Sequence, residues 1–145
     1  MCIILKSITE SPKVAESDII TYKVLEVVED ETTGKESFYS PLSQNSLQYN
    51  IGKLYTEHIG RTEDVQDSYD MVRGIEKCKY TKTTTGLYSF KDINAARALL
   101  IMLTQNLLRK YKIFRCEVPK GSKYYSSNKE DEIVSDNLVI LSQVD

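Results

Sequence analysis

The residue types able to do chemistry are few and scattered along this chain. His58 is the only histidine and falls in a stretch that reads as loop or edge strand, so no Ser–His or Cys–His nucleophile pair presents itself. The three cysteines, Cys2, Cys78 and Cys116, lie far apart without C-x-x-C spacing. With a single histidine they do not make a zinc set, and buried or incidental thiols are expected, with no metal and no cofactor. Glu130, Asp131 and Glu132 adjoin, but a run of acids in a loop usually forms a solvated face. Lys82, Lys120 and Lys123 stand beside Ser and Gly residues where a phosphate could sit, yet neither a Walker A run nor G-x-G-x-x-G accompanies them. There are 10 tyrosines and no tryptophan. Tyr22, Tyr39, Tyr49, Tyr88, Tyr124 and Tyr125 fall in or beside predicted strands. There each offers an apolar body and a polar tip, either to a cleft or to a half-buried sheet. The ligand-binding set expected from these features is Tyr22, Lys23, Ser89, Lys120, Lys123 and Tyr124, residues at strand ends and turns where clefts open. No complete catalytic set is present.

The elements that must position them are clearest between Gly86 and Leu141. Ser89 lies three residues before Asp92, a capping pattern in which both side chains can satisfy free N–H groups at a helix start. Ile93, Ala96, Leu100, Leu103 and Leu107 then recur at spacings of three and four, widened by Leu99 and Met102, and predict an amphipathic helix over about 90–110. Arg109 and Lys110 follow at its far end, where positive charge complements the helix dipole. Tyr111 to Val118 alternates as a strand with Phe114, Cys116 and Val118 on one face. Pro119-Lys120-Gly121 suits a tight turn. Ile133 to Leu141 supplies the last strand, with a bulge or break at Asp136-Asn137. Earlier, Ile19 to Val28 reads as a central strand and Ser37 to Ser40 as its hairpin partner, joined by a polar turn in which Gly34 is free to take positive φ. KLYTEHI suits a short strand. The acidic run Gly60 to Asp70 reads as a surface excursion, and the Thr-rich run before Gly86 as an edge strand or loop. These elements predict an α+β fold: a single domain over 1–145, with a mixed or mainly antiparallel sheet of five to seven strands under one long helix.

Composition bounds the rest. A chain of 145 residues with 41% hydrophobic and 28% charged residues has the make-up of a soluble globular domain able to bury its own core. No apolar run approaches the roughly 20 residues needed to span a bilayer. MCIILKSITESPK lacks the features of a secretory signal, so a cytoplasmic location is expected. Residues 1–70 carry 6 basic and 13 acidic side chains and residues 71–145 carry 13 basic and 8 acidic ones. The basic residues are spaced singly, so two attracting faces of one domain explain the asymmetry better than a nucleic-acid surface does.

Two family resemblances follow from quoted segments. YKVLEV, SFYSPL, YNIGKLY, GLYSFKDINAA, IFRCEVPKGSKYYSS and IVSDNLVI together resemble a group of uncharacterised small proteins of bacteriophages and mobile elements of gut bacteria. That resemblance implies an accessory role in a host cell, with a host protein or a small nucleotide-like ligand as partner, and no particular activity. More loosely, the chain is similar to ADP-ribosyltransferases in its order of parts. Tyr22-Lys23 lies on a first strand, Ser89-Phe90 before a helix, Pro119-Lys120-Gly121 at a turn and Glu132 near the last strand. The likeness implies Lys23 on a dinucleotide, Ser89 near its ribose and Glu132 steadying an oxocarbenium-like transition state. It departs from the family in having Lys23 for Arg or His, and in lacking a Glu-x-Glu or Gln-x-Glu pair. The expectation is therefore a non-enzymatic binding protein, with a degenerate ADP-ribosyltransferase relative and a nucleic-acid-binding module as alternatives. The last would need Lys77, Lys79, Lys82, Lys120 and Lys123 on one face.

Overall fold

A computed structural model describes residues 4–5, 11–41, 47–68, 76–105, 108–126 and 132–144, with backbone pairing alone for 4–5 and 61–84. The chain runs β1 (Ile4–Leu5), β2 (Lys13–Val14), β3 (Ile19–Glu29), β4 (Glu36–Tyr39), β5 (Gln48–Tyr49), β6 (Leu54–Thr56), β7 (Gly60–Ser68), β8 (Glu76–Thr85) and β9 (Leu87–Phe90). After α1 (Ile93–Leu103) come β10 (Lys110–Val118), β11 (Lys123–Ser126), β12 (Glu132–Ser135) and β13 (Asn137–Val144).

The α+β expectation is overturned. Among the described residues every strand pairing is antiparallel, strands make one ten-stranded and one three-stranded sheet, and the single helix has 11 residues. This is a small β-rich fold. Two local causes account for the difference. The polar, acidic run read as a surface excursion finds a ladder partner and becomes β7, paired with β8, because tertiary pairing outweighs weak local preference. The helix is also shorter than its apolar pattern. Thr104 caps it by donating its N–H to Leu100 O at 2.9 Å and its hydroxyl to Ile101 O at 3.0 Å. Lys110 already belongs to β10, so neither it nor Arg109 complements the helix end. Leu107 lies outside the described residues.

The main sheet runs β2–β11–β12–β9–β3–β10–β13–β6, with β4 on β3 and β5 on β4. β12 and β13 are separated by Asp136 alone in the chain, yet by three strands in the sheet. The last strand is thus one bent strand: its first half pairs with β9, its second with β10, and the sheet between them curls into a barrel-like arc whose end strands are β2 and β6. Asp136 holds the bend, accepting the N–H of Lys123 and the amide of Asn137 on Oδ1, each at 2.9 Å. The curl gives this barrel an inside, filled by Leu25, Leu87, Phe114, Cys116, Val118, Ile133, Leu138 and Ile140. The face predicted for Phe114, Cys116 and Val118 is this interior.

α1 covers part of the outside. Ala96 is fully buried against Val24 and Ile113, with Leu99, Leu100 and Leu103 packed beside Tyr22 and Phe90, whereas Met102 is 59% exposed and lies off that face. The β3–β4 hairpin forms as expected: Gly34 takes φ 71°, donates to Asp30 O at 2.8 Å, and Asp30 Oδ1 accepts Thr32 N–H. The acidic stretch read as a surface excursion contains β7, paired along its length with β8 in the smaller sheet.

Candidate functional site

Strand alternation decides which candidate residues can meet. On β3, Thr21, Lys23 and Leu25 point into the barrel, while Tyr22 and Val24 point out beneath α1. Across β3–β9 the pair is Tyr22 with Phe90, and across β9–β12 Phe90 pairs with Glu132 and Ser89 with Ile133. Tyr22, Phe90 and Glu132 therefore form one cross-strand row. Lys23, Ser89 and Ile133 occupy the next, on the opposite side of the sheet. Cys116 lies directly across from Thr21 on β10.

The interior row carries the unusual chemistry. Lys23 is only 8% exposed, and its Nζ donates to Tyr88 O at 2.6 Å. The ammonium also sits 5.5 Å from the centre of the Tyr49 ring, a cation–π distance. Tyr49 meets Tyr55 edge-on at 4.9 Å, and Lys53 covers Tyr55 from outside at 5.3 Å. Asn50 N–H donates to Tyr55 OH at 2.5 Å and Gly52 N–H to Ile140 O at 2.7 Å, which fasten this two-tyrosine cover over the barrel. Buried hydroxyls of Thr21 and Ser89 have no hydrogen-bond partner among the described residues.

Burial pushes the Lys23 ammonium below its ordinary pKa, and the nearby Cys116, Glu132 and Glu57 offset part of that. Burial raises the Tyr49 phenol, and it pushes the Cys116 thiol up to about 12 against a partial pull from Lys23. At neutral pH the thiol is therefore protonated and inert. A buried amine of lowered pKa is a competent nucleophile or base once something reaches it. Here Tyr49, Tyr55 and the packed barrel close it off.

The six expected ligand residues thus fall in three places. Lys23 and Ser89 come together inside. Tyr22 packs under the helix. Tyr124 is half-buried against the core from β11, and Lys120 and Lys123 are exposed at the β10–β11 turn, their N–H groups bound to Asp18 and Asp136. The transferase-like trio is split as well, because Glu132 belongs to the row opposite Lys23 and Ser89, although its charge still reaches the ammonium. Lys77 and Lys79 lie on β8 against the acidic β7, Asp67 opposite Lys77 and Val65 opposite Lys79.

Two surface features had no sequence signal, because each needs the register. One is an apolar patch at the end of the main sheet, where Ile51 is 51%, Leu54 53% and Leu141 36% exposed. It borders β6, whose outer edge has no strand partner among the described residues. The other is an open groove of about 790 Å³ at the foot of the β3–β4 hairpin, lined among others by Glu26, Val28, Tyr39, Leu108 and Arg109.

No protein family, curated protein or solved structure matches this chain. Among the described residues no helix is long and apolar enough to cross a membrane, and no group of three or more His, Cys, Asp or Glu is placed to hold a metal ion.

Proposed function

We propose that the chain is a non-enzymatic accessory protein that binds a host protein, using the open edge of β6. The exposed apolar patch of Ile51, Leu54 and Leu141 beside that edge carries the reading. An unpaired strand edge offers a row of backbone donors and acceptors, and apolar side chains beside it favour an added strand from a partner. The phage or mobile-element origin, and a place in the host cytoplasm, rest on the sequence resemblance alone. The burial of Lys23 and Ser89 supports a binding role over transfer chemistry, since a dinucleotide would have to open the barrel to reach them.

The test compares the unaltered chain with Leu54→Lys as baits for host proteins, followed by binding of the purified captured protein. Binding by the unaltered chain and loss with Leu54→Lys supports the reading. Equal binding by both would place the contact elsewhere. In parallel, thermal shifts with NAD, ADP-ribose and cyclic nucleotides test the small-ligand alternative. A ligand at about 100 times its Kd adds roughly 2.7 kcal/mol, and such a shift, lost in Lys23→Met, would replace the protein-partner reading with a nucleotide-binding one.

A further inference from the structure

We propose that the open edge of β6 pairs antiparallel with β6 of a second copy of this chain, about a two-fold axis through Tyr55. The pairing rests on the reading of β6 as a docking edge and regulates it: a host protein must displace the second copy to enter. The backbone sets the register. Glu57 donates its N–H to Asp136 O at 2.9 Å, and β6 pairs with β13 as Thr56 with Asn137, Tyr55 with Leu138 and Leu54 with Val139. In an antiparallel ladder the N–H and C=O groups of successive residues alternate in direction. Glu57 and Tyr55 therefore turn theirs to β13, and Leu54 and Thr56 turn theirs outward. No strand meets that outer edge among the described residues. A two-fold axis at Tyr55 sets Leu54 of each copy opposite Thr56 of the other, and each such pair exchanges both N–H···O bonds.

The same register pairs the flanking charges. Lys53 stands two residues before Tyr55 and Glu57 two after it; both are exposed, and alternation puts them on one face of the strand. Neither makes an ion pair among the described residues, and Lys53 lies over the Tyr55 ring at 5.3 Å. About the axis, Lys53 of each copy stands opposite Glu57 of the other, with Cβ atoms roughly 5 Å apart, so both pairs attract at once. Centring the axis on Leu54 or Thr56 instead sets Lys53 opposite Tyr55 or Ile59 and leaves both charges unpaired. On the other face Leu54, 53% exposed, lies diagonal to its own counterpart at roughly 7–8 Å, within side-chain reach. Leu54, Tyr55 and Thr56 include none of the charges or prolines that keep a free edge from pairing. A strand of 3 residues makes a small contact, so the pair is weak and reversible, as a displaceable guard must be.

Sedimentation equilibrium of the full chain across a wide concentration range reads the pairing, expected as a reversible dimer that salt weakens. Lys53→Glu and Glu57→Lys each set like charges opposite one another, and each should weaken association about tenfold. An equimolar mixture of the two should recover it, because one chain is then acidic at both positions and the other basic. The chain carrying both changes should recover it as well, since its pairs are merely reversed. If one single variant does not fold, as read by circular dichroism, the other single variant and the double variant give the same comparison. A monomeric unaltered chain overturns the proposal. So do single variants that associate undiminished, or a double variant no stronger than the singles. Each of these leaves the host-protein reading standing, because that reading falls only on equal capture by the unaltered chain and Leu54→Lys.

Discussion

Inside the curled sheet, Lys23 donates from Nζ to the carbonyl oxygen of Tyr88 at 2.6 Å, tying β3 to β9 through a buried cation. One hydrogen bond, one tyrosine ring and the nearby Glu132 and Glu57 only partly compensate for taking an ammonium out of water, since burial still lowers its pKa. Lys23→Met keeps the length of the side chain and removes the charge. At pH 7 the variant is expected to match the parent or to gain up to about 2 kcal/mol in urea unfolding. A loss of comparable size would show that the cation is net stabilising. The pH dependence carries the sign. The folded pKa lies below the unfolded 10.5, so in that window the unfolded chain holds more protons and stability rises with pH. In Lys23→Met that rise is absent.

Cys116 acts in the opposite direction. Its thiol titrates near 12 when folded against 9.0 when unfolded, so its contribution is complete below pH 9 and is lost as pH climbs towards 12. Three units correspond to on the order of 4 kcal/mol across that window. Cys116→Ala is expected to be less stable at pH 7 through its cavity, but to fall less steeply above pH 9. Tyr49 steepens both curves only above its own ordinary value of 10.0, so the difference between the two proteins at pH 9–10 isolates the thiol. Parallel curves over that interval would refute a raised thiol pKa.

The parts legible in the sequence were those whose signal is local. Ile19 to Val28 as a central strand, Gly34 in the hairpin turn, the inward face of Phe114, Cys116 and Val118, and the break at Asp136 each follow from residue type or alternation. What escaped depends on long-range register. Nothing near Asp136 announces that the two halves of one bent strand flank a three-strand arc, and that curl is what turns Lys23 and Ser89 inward. Tyr22 and Lys23 are neighbours in sequence, so placing both in one cleft conflicted with the strand predicted to carry them. Tyr49 and Tyr55 become the cover of Lys23 only because β6 docks on β13. Helix length failed for another reason: the apolar spacing runs on to Leu107, but spacing alone does not show where a helix stops.

Gly86 links β8 to β9 at φ 135°, a conformation open to glycine and strained for any other residue. A Cβ there would collide with the Cγ2 atom of Val134 on β12. Gly86→Ala should cost roughly 2–4 kcal/mol, combining backbone strain with overpacking. Adding Val134→Ala opens the space without relieving φ, so the double variant should show less than the sum of the single losses. Full additivity in denaturant midpoints would mean that Val134 is not the obstacle.

Ser89 and Asp92 both resemble helix caps in sequence, and the structure gives them different work. Asp92 is the N-cap, with φ −110° and ψ 129°, and its Oδ1 accepts Asn94 N–H at 2.9 Å. Ser89 is a residue of β9, 2% exposed, its hydroxyl inside the barrel with no hydrogen-bond partner among the described residues. Asp92→Ala should therefore lower stability by about 0.5–2 kcal/mol. Ser89→Ala removes a buried hydroxyl whose desolvation costs about 1–3 kcal/mol and leaves almost no cavity, so it should be neutral or stabilising. Thermal unfolding of the two variants side by side separates the roles. If Ser89→Ala loses as much as Asp92→Ala, then Ser89 makes a bond that supports the fold, to a buried water beside Lys23. A water of that kind would be lost in Ser89→Ala and kept in Ser89→Thr, so rescue by threonine distinguishes a needed hydroxyl from a needed volume.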